Sequence, residues 1–136
     1  MTHNPIICAL DTTHTDKALA MASSLKGSVG AIKLGLEFFT ANGSAGVKAL
    51  EKAGLPIFLD LKFHDIPNTV AGAVRATAGL NVFMMTIHTS GGRTMMSAAM
   101  EGLGRLVVGD ADAARTVLDP LGQLCPALLA GHVDGA

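Results

Sequence analysis

The sequence predicts an α/β fold that follows the pattern of a parallel (β/α)8 barrel. Three observations lead there. Short apolar runs recur with their ends about 25 residues apart, close to the length of one strand-loop-helix unit. Alanine-rich segments with helical spacing lie between them. Charged residues stand at the C-terminal ends of successive runs, where barrels carry their catalytic groups.

The elements follow in order. "PIICAL", Pro5 to Leu10, is rich enough in apolar residues and short enough to be a strand. "TDKALAMASSLKG" predicts a helix with Thr15 as its N-cap and Gly27 just past its end. "VGAIKLG", Val29 to Gly35, is the second strand. "EFFTANGSAGVKALEKAG" is helical, is interrupted by a turn at "NGSAG", and stops at Gly54. "PIFLDLK", Pro56 to Lys62, is the third strand. "IPNTVAGAVRATAGL" places Pro67 to begin a helix. "VFMMTIH", Val82 to His88, is the fourth strand, and "GGRTMMSAAMEG" a short fourth helix.

Strands alternating with helices mean parallel strands and right-handed crossovers. An open doubly wound sheet and a (β/α)8 barrel both satisfy this. An open sheet more often carries a glycine-rich phosphate turn after its first strand. Here that turn reads "LDTTHTD". Alternate side chains of a strand share a face, so Phe58, Asp60 and Lys62 point together, opposite Ile57, Leu59 and Leu61. With Asp11 and Lys33, three successive strands present charge at their C-terminal ends, which favours the barrel.

Composition bounds the class. The chain has 136 residues, 49% hydrophobic and 15% charged, with a formal net charge of −1. That predicts a globular protein with a real core. No basic block and no Trp or Tyr are present, which argues against nucleic-acid or membrane partners. Cys8 and Cys125 suggest reduced thiols rather than a disulfide framework. The N-terminus does not read as a secretory signal, and no apolar run is long enough to span a bilayer. A soluble cytoplasmic protein is expected.

Buried charges are costly unless paired, so Asp60 and Lys62 among leucines suggest either chemistry or a structural salt-bridge network. A lysine in such a set has three possible tasks. A Schiff base needs a depressed pKa, and nearby carboxylates act the other way. Phosphate binding is opposed by the same carboxylates. Staying protonated, stabilising a developing carbanion and protonating it fits best. Asp60 and Asp65 as Mg²⁺ ligands are the alternative, disfavoured by the lysine between them. His64 and His88 are read as structural or pocket-lining rather than as metal ligands.

"DLKFHDIPNT", Asp60 to Thr69, closely resembles the signature of the orotidine 5′-phosphate decarboxylase family, which catalyses the last step of UMP synthesis. "ALD" at Ala9 to Asp11, "IKLGLEFF" at Ile32 to Phe39 and "HTSGGRTMMSAAMEG" at His88 to Gly102 resemble the same family in order and spacing. The resemblance implies a (β/α)8 barrel acting as a homodimer, with no metal or organic cofactor. It implies Lys62 as proton donor to C6 of the pyrimidine and Asp60 beside the substrate carboxylate. Lys33 would bridge the carboxylates near the ribose, and Asp11 would bind a ribose hydroxyl. Asp65 and Thr69 would reach the neighbouring subunit's site, and Ile66 would line the pocket. A related group of Mg²⁺-dependent decarboxylases acting on keto-sugar phosphates shares the Asp-x-Lys-x-x-Asp pattern; "IPNT" and "HTSGG" favour the orotidine group.

The family pattern fades after Gly102, and "RTVL" at Arg115 to Leu118 resembles the start of a fifth strand before departing from it. A full barrel needs roughly 200 residues or more. The expectation is therefore the first four to five units only, truncated or frame-shifted between about 102 and 118. Residues 1–102 would form the N-terminal half barrel, and 103–136 a divergent, partly disordered tail. Such a chain is expected to be poorly stable and weakly active or inactive, as an inactive half barrel or as one that complements a second half.

Overall fold

A computed structural model describes residues 4–107 of the chain, with side chains through Leu103. Four parallel strands form one sheet: β1 Ile7–Ala9, β2 Ala31–Gly35, β3 Ile57–Phe63 and β4 Met84–Ile87. Helices α1 Thr15–Leu25, α2 Leu36–Leu50, α3 Pro67–Ala76 and α4 Gly92–Val107 follow them in alternation. Among the described residues the spatial order is β1-β2-β3-β4, with none of the reversal that marks a doubly wound sheet.

The register explains why every described helix lies on one side. Cys8 pairs with Ile32 and Ile32 with Ile57, while Leu34 pairs with Leu59 and Leu59 with Met85. These side chains share a face and pack with Ala18 and Ala22 of α1 and with Phe38, Val47 and Leu50 of α2. Phe63, Met85 and Ile87 continue that face onto Val70 and Val74 of α3 and Met95 and Ala99 of α4. Ile32, Leu34, Leu50 and Leu59 are fully buried, each contributing about 1.5–3 kcal/mol by leaving water. A singly wound sheet with helices on one face is an arc of the expected barrel.

Several element ends fall where the sequence places them. Gly27 (φ 85°) and Gly54 (φ 68°) take the left-handed conformation past α1 and past a 3-10 turn at Glu51–Ala53. Gly43 (φ 57°, ψ −158°) breaks α2 inside "NGSAG", and Pro67 opens α3. The start of α1 differs. Its N-cap is His14, not Thr15, because the Thr15 hydroxyl donates to Asn42 Oδ1 of α2 at 2.8 Å instead of capping. Thr12 Oγ1 accepts the His14 N–H just before the helix. Helix α4 is longer than the sequence suggests and runs past residue 102 to Val107. The expectations for 108–136, including Cys125 and "RTVL", lie outside the described residues. Among the described residues Cys8 is a free thiol, and no helix is long and apolar enough to cross a membrane.

Candidate active site

The second face of the sheet carries Ala9, Lys33, Phe58 and Met84 in one registered row. One step further along, Asp60 stands opposite Gly35, which contributes no side chain. Space therefore remains beside Asp60: a Cβ built on Gly35 would touch nothing within 4 Å.

Asp60 is the centre of the site and is only 7% exposed. Its Oδ2 receives both ammonium groups, Lys62 Nζ at 2.8 Å and Lys33 Nζ at 3.2 Å. Its Oδ1 accepts the Thr86 hydroxyl at 2.8 Å. The Lys62 hydrogen bond is the main cause that holds the Asp60 carboxyl down at about 2, against an ordinary 3.8. Burial opposes this, and Thr86 and Lys33 reinforce it. The buried carboxylate is thus fully partnered, as burial requires.

Lys62 reaches Asp60 through an irregular backbone. Between the pairs Leu59–Met85 and Phe63–Ile87, β3 spends more residues than β4, a bulge of the kind found beside active sites. Lys62 sits in it with φ 53°, the one non-glycine residue at positive φ among those described. Its N–H donates to Thr86 Oγ1 at 2.9 Å. A left-handed lysine costs on the order of 1–3 kcal/mol and persists only where its surroundings fix it.

The remaining expected residues are placed as follows. Asp11 is exposed just beyond β1 and makes no ion pair among the described residues. Asp65 is exposed before α3, where its Oδ1 accepts the Ile66 N–H at 2.6 Å; within the chain it does not join the lysines. Ile66 is 67% exposed, and Thr69 is exposed in the first turn of α3. His64 and His88, just past the ends of β3 and β4, have ring centroids 5.2 Å apart with planes tilted by 43°. No group of three or more His, Cys, Asp or Glu side chains that could hold a metal occurs among the described residues. The structure thus brings together Lys33, Asp60 and Lys62 and leaves Asp11 and Asp65 outside their ion pairs.

Thr86 is the site residue that sequence reasoning missed. Its signal was slight: it is the one polar residue inside "VFMMTI" and shares a strand face with Met84.

The family model described as Orotidine 5'-phosphate decarboxylase / HUMPS family matches residues 4–118. The chain is 59% identical over 100 residues to the orotidine 5′-phosphate decarboxylase of Ehrlichia chaffeensis, covering 74% of this chain and 43% of that protein. It is 58% identical over 102 residues to that of Rhodospirillum rubrum, covering 74% and 41%. Among solved structures, the Methanocaldococcus jannaschii orotidine 5′-monophosphate decarboxylase complexed with inhibitor BMP superposes with a TM-score of 0.70 at 26% identity, covering 76% of this chain and 49% of that one. The Pyrococcus horikoshii enzyme gives 0.65 at 30% identity, covering 71% and 47%. The chain spans less than half the length of the curated relatives it matches.

Proposed function

The chain belongs to the orotidine 5′-phosphate decarboxylase / HUMPS family, and from that premise we propose that it serves the decarboxylation of orotidine 5′-phosphate to UMP in pyrimidine biosynthesis. One observation supports this reading above the others: two lysine ammonium groups share one oxygen of a buried aspartate. In the proposed reaction the bond from C6 to the carboxylate breaks and CO₂ leaves, while the electron pair stays on C6. The Lys62 ammonium stabilises that charge where it develops and gives C6 a proton. Asp60 holds Lys62 in place and stands beside the substrate carboxylate. Lys33 fixes the other side of Asp60 near the ribose, and Asp11 takes a ribose hydroxyl. Such fixed charges lower the barrier because nothing needs to reorganise as the reaction proceeds.

The proposal extends to a cytoplasmic homodimer in which Asp65, Ile66 and Thr69 serve the neighbouring subunit's site. Their exposure at the start of α3, and the absence of Asp65 from the ion pairs among the described residues, support this part.

A second reading, a half barrel without activity of its own, is favoured by the state of the sheet's second face. Ile7 is 42% exposed there, and the apolar clusters that join the described helices to the sheet all use the opposite face. The test is release of labelled CO₂ from carboxyl-labelled orotidine 5′-phosphate by the 136-residue chain, with UMP-dependent thermal stabilisation measured in parallel. Release that disappears in Lys62→Ala supports the first reading. A folded chain that neither releases CO₂ nor is stabilised by UMP supports the second, because a ligand-linked rise in melting temperature requires an intact site. Release that survives Lys62→Ala contradicts the role given to Lys62.

A further inference from the structure

We propose that Thr86 is a positioning residue that sets Asp60 and Lys62 in one geometry through a single hydroxyl; the proposal rests on the decarboxylase reading of this site. The hydroxyl donates to Asp60 Oδ1 at 2.8 Å and accepts the Lys62 N–H at 2.9 Å. Both of its roles are therefore filled by the two groups assigned to the chemistry.

Each bond solves a separate problem. The carboxylate torsion of an aspartate is broad and roughly two-fold, so the chain alone does not decide where each oxygen points. With Oδ1 held by Thr86 from β4, Oδ2 faces Lys33 of β2 and Lys62 of β3 together. The second problem is the backbone. Within the β3 bulge the Lys62 N–H falls between the registered pairs Leu59–Met85 and Phe63–Ile87. The Thr86 hydroxyl accepts that N–H and so anchors the left-handed turn that directs the lysine side chain back over Asp60. One side chain on β4 thereby couples the orientation of the acid to the backbone conformation of the proton donor.

The test compares Thr86→Val, which keeps the branched shape and removes the hydroxyl, with Thr86→Ser, which keeps the hydroxyl. Two readouts need no turnover. Carbon-detected NMR on the full chain follows the Asp60 carboxyl as pH is lowered, and hydrogen exchange follows the Lys62 amide. In Thr86→Val the Asp60 midpoint rises and the Lys62 amide exchanges roughly tenfold faster, as expected for one lost hydrogen bond. Thr86→Ser restores both. Where turnover is measurable, Thr86→Val lowers kcat with KM little changed, because the geometry of the proton donor is disturbed and the ribose contacts are not. An Asp60 midpoint and a Lys62 amide both unchanged in a folded Thr86→Val protein would overturn the proposal, as would a Ser variant that behaves like Val. If the decarboxylase reading alone fails, both NMR effects persist without turnover in any variant.

Discussion

The ammonium groups of Lys33 and Lys62 meet on one oxygen, Asp60 Oδ2, at 3.2 and 2.8 Å. Two cations are held together only by the anion between them. Asp60→Asn removes that charge and leaves the lysines repelling each other. Their side chains are 28% and 48% exposed, so solvent offsets much of the loss. The expected destabilisation is about 1–2 kcal/mol in urea unfolding near neutral pH. Either lysine changed alone to Ala costs less, because the other remains on the carboxylate. An Asn variant as stable as the parent would mean that the pairs contribute nothing to folding.

The backbone at Lys62 gives a second expectation. At φ 53° a side chain is strained and a glycine is not. Lys62→Gly and Lys62→Ala both remove the ammonium, so their difference isolates the backbone. The Gly variant should be more stable than the Ala variant by about 1 kcal/mol. Equal unfolding midpoints would place Lys62 in an ordinary strand conformation.

Acid stability follows from Asp60. Its carboxyl in the folded chain titrates at about 2, below its ordinary 3.8. A depressed carboxyl stabilises the fold above the unfolded value and loses that contribution as pH falls through the folded one. Stability should therefore decline between 3.8 and about 2, and the decline should be shallower in Asp60→Asn. Denaturant melts across this range read the slope directly. Identical slopes for the two proteins would assign the acid transition to other carboxylates.

Packing of α3 on α4 supplies a prediction away from the site. A Cβ on Gly102 would lie 2.7 Å from the Ala71 carbonyl oxygen and 3.1 Å from the Ala71 Cα. Alanine at a helical glycine ordinarily gains up to about 1 kcal/mol of propensity. Overpacking against backbone costs about 1–3 kcal/mol. The steric term should win, so Gly102→Ala should lower the melting temperature. A stabilised variant would mean that the two helices can move apart without loss.

Much of this arrangement was legible in the residues. The four strand-helix units show in alternating apolar and alanine-rich segments because each element buries one face at its own period. Gly27, Gly54 and Pro67 mark ends by local backbone chemistry, which needs no tertiary context. Lys33, Asp60 and Lys62 stand out as charges inside apolar runs. The left-handed Lys62 and the role of Thr86 do not, because both arise from a register shift between β3 and β4 that neither run reveals alone. The N-cap of α1 is not legible for a related reason: Thr15 bonds to Asn42, a residue brought near by packing.

If Lys33, Asp60 and Lys62 form the catalytic array of a decarboxylase, they should work inside a full-length relative. The matched residues of the Ehrlichia chaffeensis enzyme, 59% identical over 100 positions, are replaced by those of this chain. Release of CO₂ from orotidine 5′-phosphate is then measured with and without Lys62→Ala. The expected result is a folded chimera that decarboxylates at a rate near its parent's, and a rate lost in the Ala variant. A folded chimera that releases no CO₂, or whose release survives Lys62→Ala, would contradict it.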